Sequence, residues 1–444
     1  MADHDDKTNK KKKAQTINFA YNFIGLNSSV LPAVFACGLD AAADNEEKIA
    51  AFKDFLNNDE AKYSGYFSVE AETKTPLYIE GKSGFFSDGS RLLIPGSSFR
   101  GCIKNYFKII TNSKMIPYAS GTGDINGALA VIADIADINE NGEIKYHKAA
   151  SEKEASDHFD IAAHVPKNLQ EGIVDFAEAV FGNKECWAGR VFFEDLYLQK
   201  DKAEDCDKAA YAKILLGPNP CLVKNYLCPS PKDGKPSEWK LCTGAEKGDL
   251  VSIKGYKMYW HSHGKWEHEE QDNRKYDDKE CAPKKIRPVK EKKKFSGRVR
   301  FENLSAVELG ALVAVFALGD EDKHYFKLGM GKAIGLGSLK LQYTLHVQAN
   351  DYYCKFFADD GSLYEGEKAC DVEKFYKRFD EYRKAKCGES LADDKRIKEL
   401  KDIMFDYGED KQGGDKQGEY RLKKGEKKKT LCLPSISEIV KGRE

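Results

Sequence analysis

The sequence has no run of 18 apolar residues, no Cys-x-x-Cys pair and almost no net charge. The first absence excludes an ordinary bilayer-spanning helix, so no membrane association is expected. The second leaves the 12 cysteines without the paired spacing that structural zinc or a redox dithiol prefers, so reduced thiols are expected. The third is a formal charge of −1, with 71 Lys and Arg against 72 Asp and Glu. It rules out a global basic field as the means of attracting nucleic acid. Any polyanion site must be a local basic groove on a near-neutral body. Residues 1–15 are rich in Asp and Lys and have no apolar signal core. They are expected to be a disordered tail on a cytoplasmic protein.

What is present is a real core inside a heavily charged surface: 41% apolar and 32% charged over 444 residues. Phe67, Val69, Ala71 and Thr73 alternate with Ser68, Glu70 and Glu72, which predicts a strand over Tyr66–Ile79. Helices are predicted over Ala42–Asn57 and after Pro95, where Phe99, Ile103, Phe107 and Ile110 fall at helical spacing. Gly189–Leu198 and Phe295–Phe301 are the next strands. Ser305-Ala306-Val307-Glu308 is a capping box opening a helix through Leu309, Leu312, Val313 and Phe316. Ser338–Val347 alternates again. Strand–helix–strand occurs twice, the split βαβ order of an α+β, ferredoxin-like (RRM-type) core. That core is expected over 16–347, with large insertions at about 112–188 and 199–294. Residues 348–444 form a charged C-terminal extension, with helices at Asp371–Lys386 and near Ile436–Lys441. The basic run Lys284–Lys294 is expected to be a solvated linker, or alternatively an RNA contact.

Two segments could bind phosphate. Gly329, Gly331, Gly335 and Gly337, with Lys332 among them, lie between a helix and a strand. Glycines admit close backbone approach, and clustered N–H groups can cradle an anion. The spacing is not that of a P-loop, and a strand follows where a dinucleotide fingerprint needs a helix. A tight structural turn is the alternative. In Ile94–Gly101, Ser97 or Ser98 can cap the helix, whose N-terminus is a ready anion site. Arg100, Lys104 and Lys108 lie four apart and share one helix face. The alternative there is a capped core helix with solvated lysines. His261, His263 and His268 lie near Trp260 and Trp266, with Cys221, Cys228, Cys242 and Cys281 in the same insertion. Their irregular spacing argues against structural Zn²⁺. A packed insertion and a base-stacking surface remain open.

Together these segments resemble the RAMP superfamily of CRISPR-associated proteins. There a first strand leads into Ile-Pro-Gly-Ser-Ser-x-Arg/Lys-Gly and helix one, and a second helix runs into Gly-x-Gly-Lys-x-x-Gly-x-Gly-Ser. Here those are Ile94–Gly101 and Gly329–Ser338. Tyr21-Asn22-Phe23, Gly189–Phe193, Lys257-Met258-Tyr259-Trp260-His261, Gly297–Leu304 and Glu308-Leu309-Gly310-Ala311 are similar to the backbone-type subunits of type III systems. The resemblance runs from about residue 17 to 347. It implies a subunit that grips CRISPR guide RNA and lines up with copies of itself and other effector subunits. Ser97, Ser98, Arg100, Gly101 and Lys104, with Lys108 on the same face, would hold guide phosphates. Gly329, Gly331, Lys332, Gly335 and Gly337 would lie against the RNA. Some relatives also cut complementary target RNA with a loop Asp and a divalent metal such as Mg²⁺, through in-line attack by a ribose 2′-OH. Asp88 and Asp59 are the catalytic candidates. The alternatives are a guide-processing endoribonuclease using His261 or His324 without metal, and a scaffold that binds only proteins.

Overall fold

Alternation of apolar and polar residues fixes which way each strand faces. In Lys62–Thr73 the residues Phe67, Val69, Ala71 and Thr73 are buried, and Ser68, Glu70 and Glu72 are not. The computed structural model describes residues 16–27, 29–82, 84–115, 135–138, 144–146, 172–199, 205–213, 215, 227–228, 230–232, 235–238, 252–267, 284–348, 357, 361–362, 366–408, 419–421 and 433–441. The N-terminal tail and much of both insertions lie outside these residues, as do Cys221, Cys242, Cys281 and His268.

The elements that place the site are, in chain order, β1 (Tyr21–Ile24), α1 (Asn45–Asn57), β2 (Lys62–Thr73), α2 (Gly96–Ile110) and α3 (Phe176–Phe181). Then come β3 (Val191–Phe193), β4 (Leu196–Leu198), β5 (Tyr256–Tyr259), β6 (Lys294–Ser305), α4 (Ala306–Ala317) and β7 (Ser338–Gln348). The C-terminal helices are α5 (Glu373–Cys387), α6 (Lys395–Met404) and α7 (Ile436–Lys441). The main sheet runs β7–β2–β6–β4, and β3 also pairs with β6; every one of these pairings is antiparallel. With β3 and β4 counted as one interrupted second strand, the order is fourth–first–third–second, that of a ferredoxin-like α+β core. The strand expected over Tyr66–Ile79 ends at Thr73. There Thr73 Oγ1 donates to Lys290 O at 2.8 Å, and the chain leaves the sheet so that Leu77 N donates to Val289 O at 2.8 Å.

Helix α4 is buried on every side from Glu308 to Phe316. A helix that is apolar all round must be covered all round. The sheet covers one side, with the Phe67 and Phe316 rings 4.9 Å apart. Helix α5 covers another through Phe375 and Phe379. The two helices touch at Gly310, where a Cβ would lie 2.0 Å from Phe375 O. The C-terminal extension therefore shares the core of the sheet domain. The expected capping box is complete: Ser305 Oγ accepts from Glu308 N, and the Glu308 side chain accepts from Ser305 N at 2.9 Å. Glu308 is also paired with Arg190, both buried.

The run Lys284–Lys294 is not a free linker. Lys284 pairs with Glu80, Lys293 with Asp205, and Lys294 with Glu70 at 2.7 Å. Three of its seven basic side chains are thus paired with carboxylates that the sequence alone did not place nearby.

Candidate nucleic-acid interface

The two Gly-rich segments are more than 200 positions apart in sequence, yet they meet across one groove of about 540 Å³. Helix α2 supplies Ser98, Gly101, Cys102 and Asn105. The loop before β7 supplies Lys327, Leu328, Gly329, Met330 and Lys332. Strand β5 supplies Lys257, Met258 and Tyr259, and Ile79 lies at the edge. Among the described residues, three lysines and no Asp or Glu line this space.

Each wall is fixed by its neighbours. Strand β5 pairs with β1, placing Tyr259 opposite Tyr21. Asn105 Nδ2 donates to Met258 Sδ at 3.4 Å, and Cys102 Sγ to Lys327 O at 3.6 Å, so α2 is tied to both other walls. Lys332 Nζ donates to Gly329 O at 2.9 Å, and Lys327 Nζ to Leu336 O at 3.0 Å; both lysines brace the Gly-rich loop. Behind it, His261 is fully enclosed. Its Nε2 donates to Tyr325 O at 3.1 Å, which a carbonyl can only accept, so Nδ1 accepts from Ser338 Oγ at 2.9 Å. Burial first, then the Lys327 ammonium, holds the His261 pKa down to about 3. The neutral imidazole is a strut under the loop.

Burial also lowers the pKa of Lys332 and of Lys257 below the ordinary lysine value. Lys257 Nζ stands 3.9 Å from the Tyr21 ring centroid and 5.3 Å from that of Tyr259, and Lys332 Nζ is 5.9 Å from the Tyr259 ring. Ammonium groups partly stripped of water, with no carboxylate among the described residues of the groove, favour an incoming anion, which offsets the desolvation. Tyrosine faces beside them suit a partner with flat rings as well as charge.

The other sequence candidates lie around this groove. Ser97 is exposed at its rim, and neither it nor Ser98 caps α2. The cap position is Pro95, and the first amide, Gly96 N–H, donates to the Asp195 carboxylate at 2.7 Å. A side chain from the β3–β4 connection has taken the place expected of a serine or an anion. Arg100, Lys104 and Lys108 do share one face of α2, but α3 packs there. Arg100 Nη2 donates to Phe181 O at 2.9 Å, Lys104 stands 5.5 Å from the Phe181 ring, and Lys108 Nζ donates to Lys114 O at 3.2 Å. Gly335 and Gly337 shape the loop behind the groove rather than lining it. Lys257, Tyr259, Lys327 and Asn105 belong to the site and were not among the sequence candidates. The Lys257–His261 motif, already singled out, was the available signal.

Asp88 is exposed in the turn between Ser87 and Leu92. Its Oδ1 accepts from Ser90 N, Ser90 Oγ and Arg91 N, each at 2.8 Å, and these bonds hold its pKa at about 2. Asp59 is exposed between α1 and β2. His324 is buried, with Nδ1 bonded to Asp322 O at 3.0 Å. His263 Nε2 lies 2.7 Å from Asp406 Oδ2. Among the described residues no cluster of three His, Cys, Asp or Glu could hold a metal.

A sequence model of the RAMP superfamily matches residues 70–340, which includes both Gly-rich segments and runs from the end of β2 to the start of β7. The chain belongs to the RAMP superfamily. For a RAMP protein, a CRISPR-associated RNA-binding role is the general expectation. No curated protein matches this chain. Among the described residues, no helix of this RAMP protein is long and apolar enough to cross a membrane.

Proposed function

We propose that this chain is a backbone-type subunit of a type III CRISPR ribonucleoprotein in antiviral defence and that its groove holds the guide RNA. The observation that carries the reading is the convergence of Ser98 and Gly101 with Gly329 and Lys332 on a groove whose described lining has two further lysines and no carboxylate. Phosphates of a single strand fit the ammonium groups, and bases fit the tyrosine wall. Copies of the chain and other effector subunits are the protein partners in this reading. The test is to purify the chain and sequence what co-purifies. Repeat-derived guide RNA supports the proposal. A chain free of RNA at low salt, unable to bind added guide, defeats it.

Cleavage of complementary target RNA is a second activity of the same assembly. Among the described residues, three hydrogen bonds reach Asp88 and all fall on Oδ1, which leaves Oδ2 for a ligand. One ionised carboxylate suits Mg²⁺, which keeps several waters and takes further oxygens from RNA phosphates. The ion would stabilise charge on the scissile phosphate, and Asp88 would fix its position. Asp59 offers a second exposed carboxylate. Metal-free guide processing by His261 has less support, because both ring nitrogens are bonded inside the protein.

A further inference from the structure

Residues directly opposite each other in an antiparallel pair point to the same side of the sheet. Phe67, Val299 and Leu345 are opposite one another, and all three are buried on the side of α4. Their sequence neighbours point the other way and form a row across four strands. His346 on β7 is opposite Tyr66 on β2, Tyr66 is opposite Arg300 on β6, and Arg300 is opposite Phe192 on β3. The row is already ordered as a set of stacked planes. The Tyr66 and His346 rings are 4.6 Å apart and 13° from parallel. The Arg298 guanidinium stands 4.6 Å from the Tyr66 ring, and that of Arg300 stands 5.8 Å from the Phe192 ring. Phe192 is 39% exposed, and both arginines are exposed. Beside the row runs a trough of about 510 Å³, lined by Ser68, Ser296, Thr344, Gln342 and Arg298 among others. It shares no lining residue with the lysine groove.

We infer that this sheet face is a second nucleic-acid site, which holds a single strand separate from the one in the groove. The inference goes beyond the groove reading and does not depend on it. Charge and shape select the occupant. Glu194 is paired with Arg300 at 3.1 Å, and Glu70, in the trough, with Lys294 at 2.7 Å. Among the described residues no carboxylate pairs with Arg298, so the row keeps an uncompensated guanidinium that complements a phosphate. A protein contact is built round an apolar core, whereas this face sets separate rings among guanidinium, hydroxyl and amide groups. Bases stack on aromatic rings and on guanidinium planes, and hydroxyls and amides bond sugar and phosphate oxygens. In a duplex both faces of each base are already stacked, so the strand is single. Stacking reads no base edge, so the site tolerates any sequence.

The experiment uses the full chain loaded one-to-one with a guide-like RNA that carries one fluorophore. A non-complementary single strand with a second fluorophore is titrated in, once as RNA and once as DNA. Anisotropy at the two labels should show the second strand binding while the first stays bound. The tighter of the two second strands identifies the source. Phe192→Ser combined with Arg298→Gln should weaken the second strand about five-fold or more and leave the affinity for the first unchanged. Arg298→Gln alone should make the slope of log affinity against log salt shallower by about 0.7 for the second strand. All the changed side chains are exposed, so unchanged melting temperatures confirm that the variants are folded. The inference is overturned if the wild type binds no second strand, if the second strand displaces the first, or if the double variant binds like the wild type. Self-association lost in the double variant, without second-strand binding, would make the face a protein interface and overturn it too. If the chain binds no guide-like RNA, the groove reading fails, and the same titration on the unloaded chain still decides the sheet face.

Discussion

Lys332→Gln is the perturbation with the clearest expected size. Among the described residues, Lys332 is one of three lysines lining the groove, and no carboxylate there offsets it. Single-stranded RNA releases roughly 0.7 counterion per phosphate neutralised. If each groove lysine meets one phosphate, they contribute about −2 to the slope of log affinity against log salt. Removing one charge should make that slope shallower by about 0.7, so the variant loses about 2.6-fold less affinity than the wild type between 50 and 200 mM salt. Glutamine keeps a donor that can reach Gly329 O, so the turn should persist. The assay is fluorescence anisotropy with a labelled single-stranded RNA at four or five salt concentrations. A slope equal to the wild type's would refute the argument, because it would mean that Lys332 meets no phosphate. Lys108→Gln is the control: Lys108 does not line the groove and its ammonium bonds Lys114 O, so the slope should hold.

Three further expectations follow from the same geometry. Arg190→Met leaves the fully buried Glu308 without its ion partner, which should cost about 3–5 kcal/mol in chemical denaturation, and adding Glu308→Leu should recover part of it. His261 is neutral when folded, so between about pH 6.5 and 3 the unfolded chain binds a proton that the folded chain refuses. Stability should be full above about pH 6.5 and should decline as pH falls toward 3. His261→Gln should flatten the wild-type decline between pH 6.5 and 5, and an identical decline in both would remove His261 as its source. In the guide-loaded assembly with Mg²⁺ and complementary RNA, Asp88→Ala should abolish regularly spaced cuts. Cutting that survives it and stops with Asp59→Ala would move the role to Asp59.

The strand order and the capping box were legible because alternation and spacing are local properties. The alternating run from Phe67 to Thr73, and Ser305 three residues before Glu308, each dictate their own conformation. The loss of solvent from one helix face was not legible. Spacing puts Arg100, Lys104 and Lys108 on one side of α2, but nothing local says that Phe181 will cover that side. Asp195 reached the α2 N-terminus from the β3–β4 connection for the same reason. The groove itself needs three distant segments, and β5 is held in it by its pairing with β1 and by the Asn105–Met258 bond. Helix α6 escaped notice because its apolar positions Ile397, Leu400, Ile403 and Met404 are spread among lysines.

Photocross-linking tests the central claim most directly. The full chain bound to a guide-like RNA containing 4-thiouridine would be irradiated, digested and mapped by mass spectrometry. The account predicts cross-links on peptides carrying Ser98–Asn105, Lys257–Tyr259 and Gly329–Lys332. Cross-links confined to the open sheet face around Tyr66, Phe192 and Arg298, with none in the groove, would contradict it.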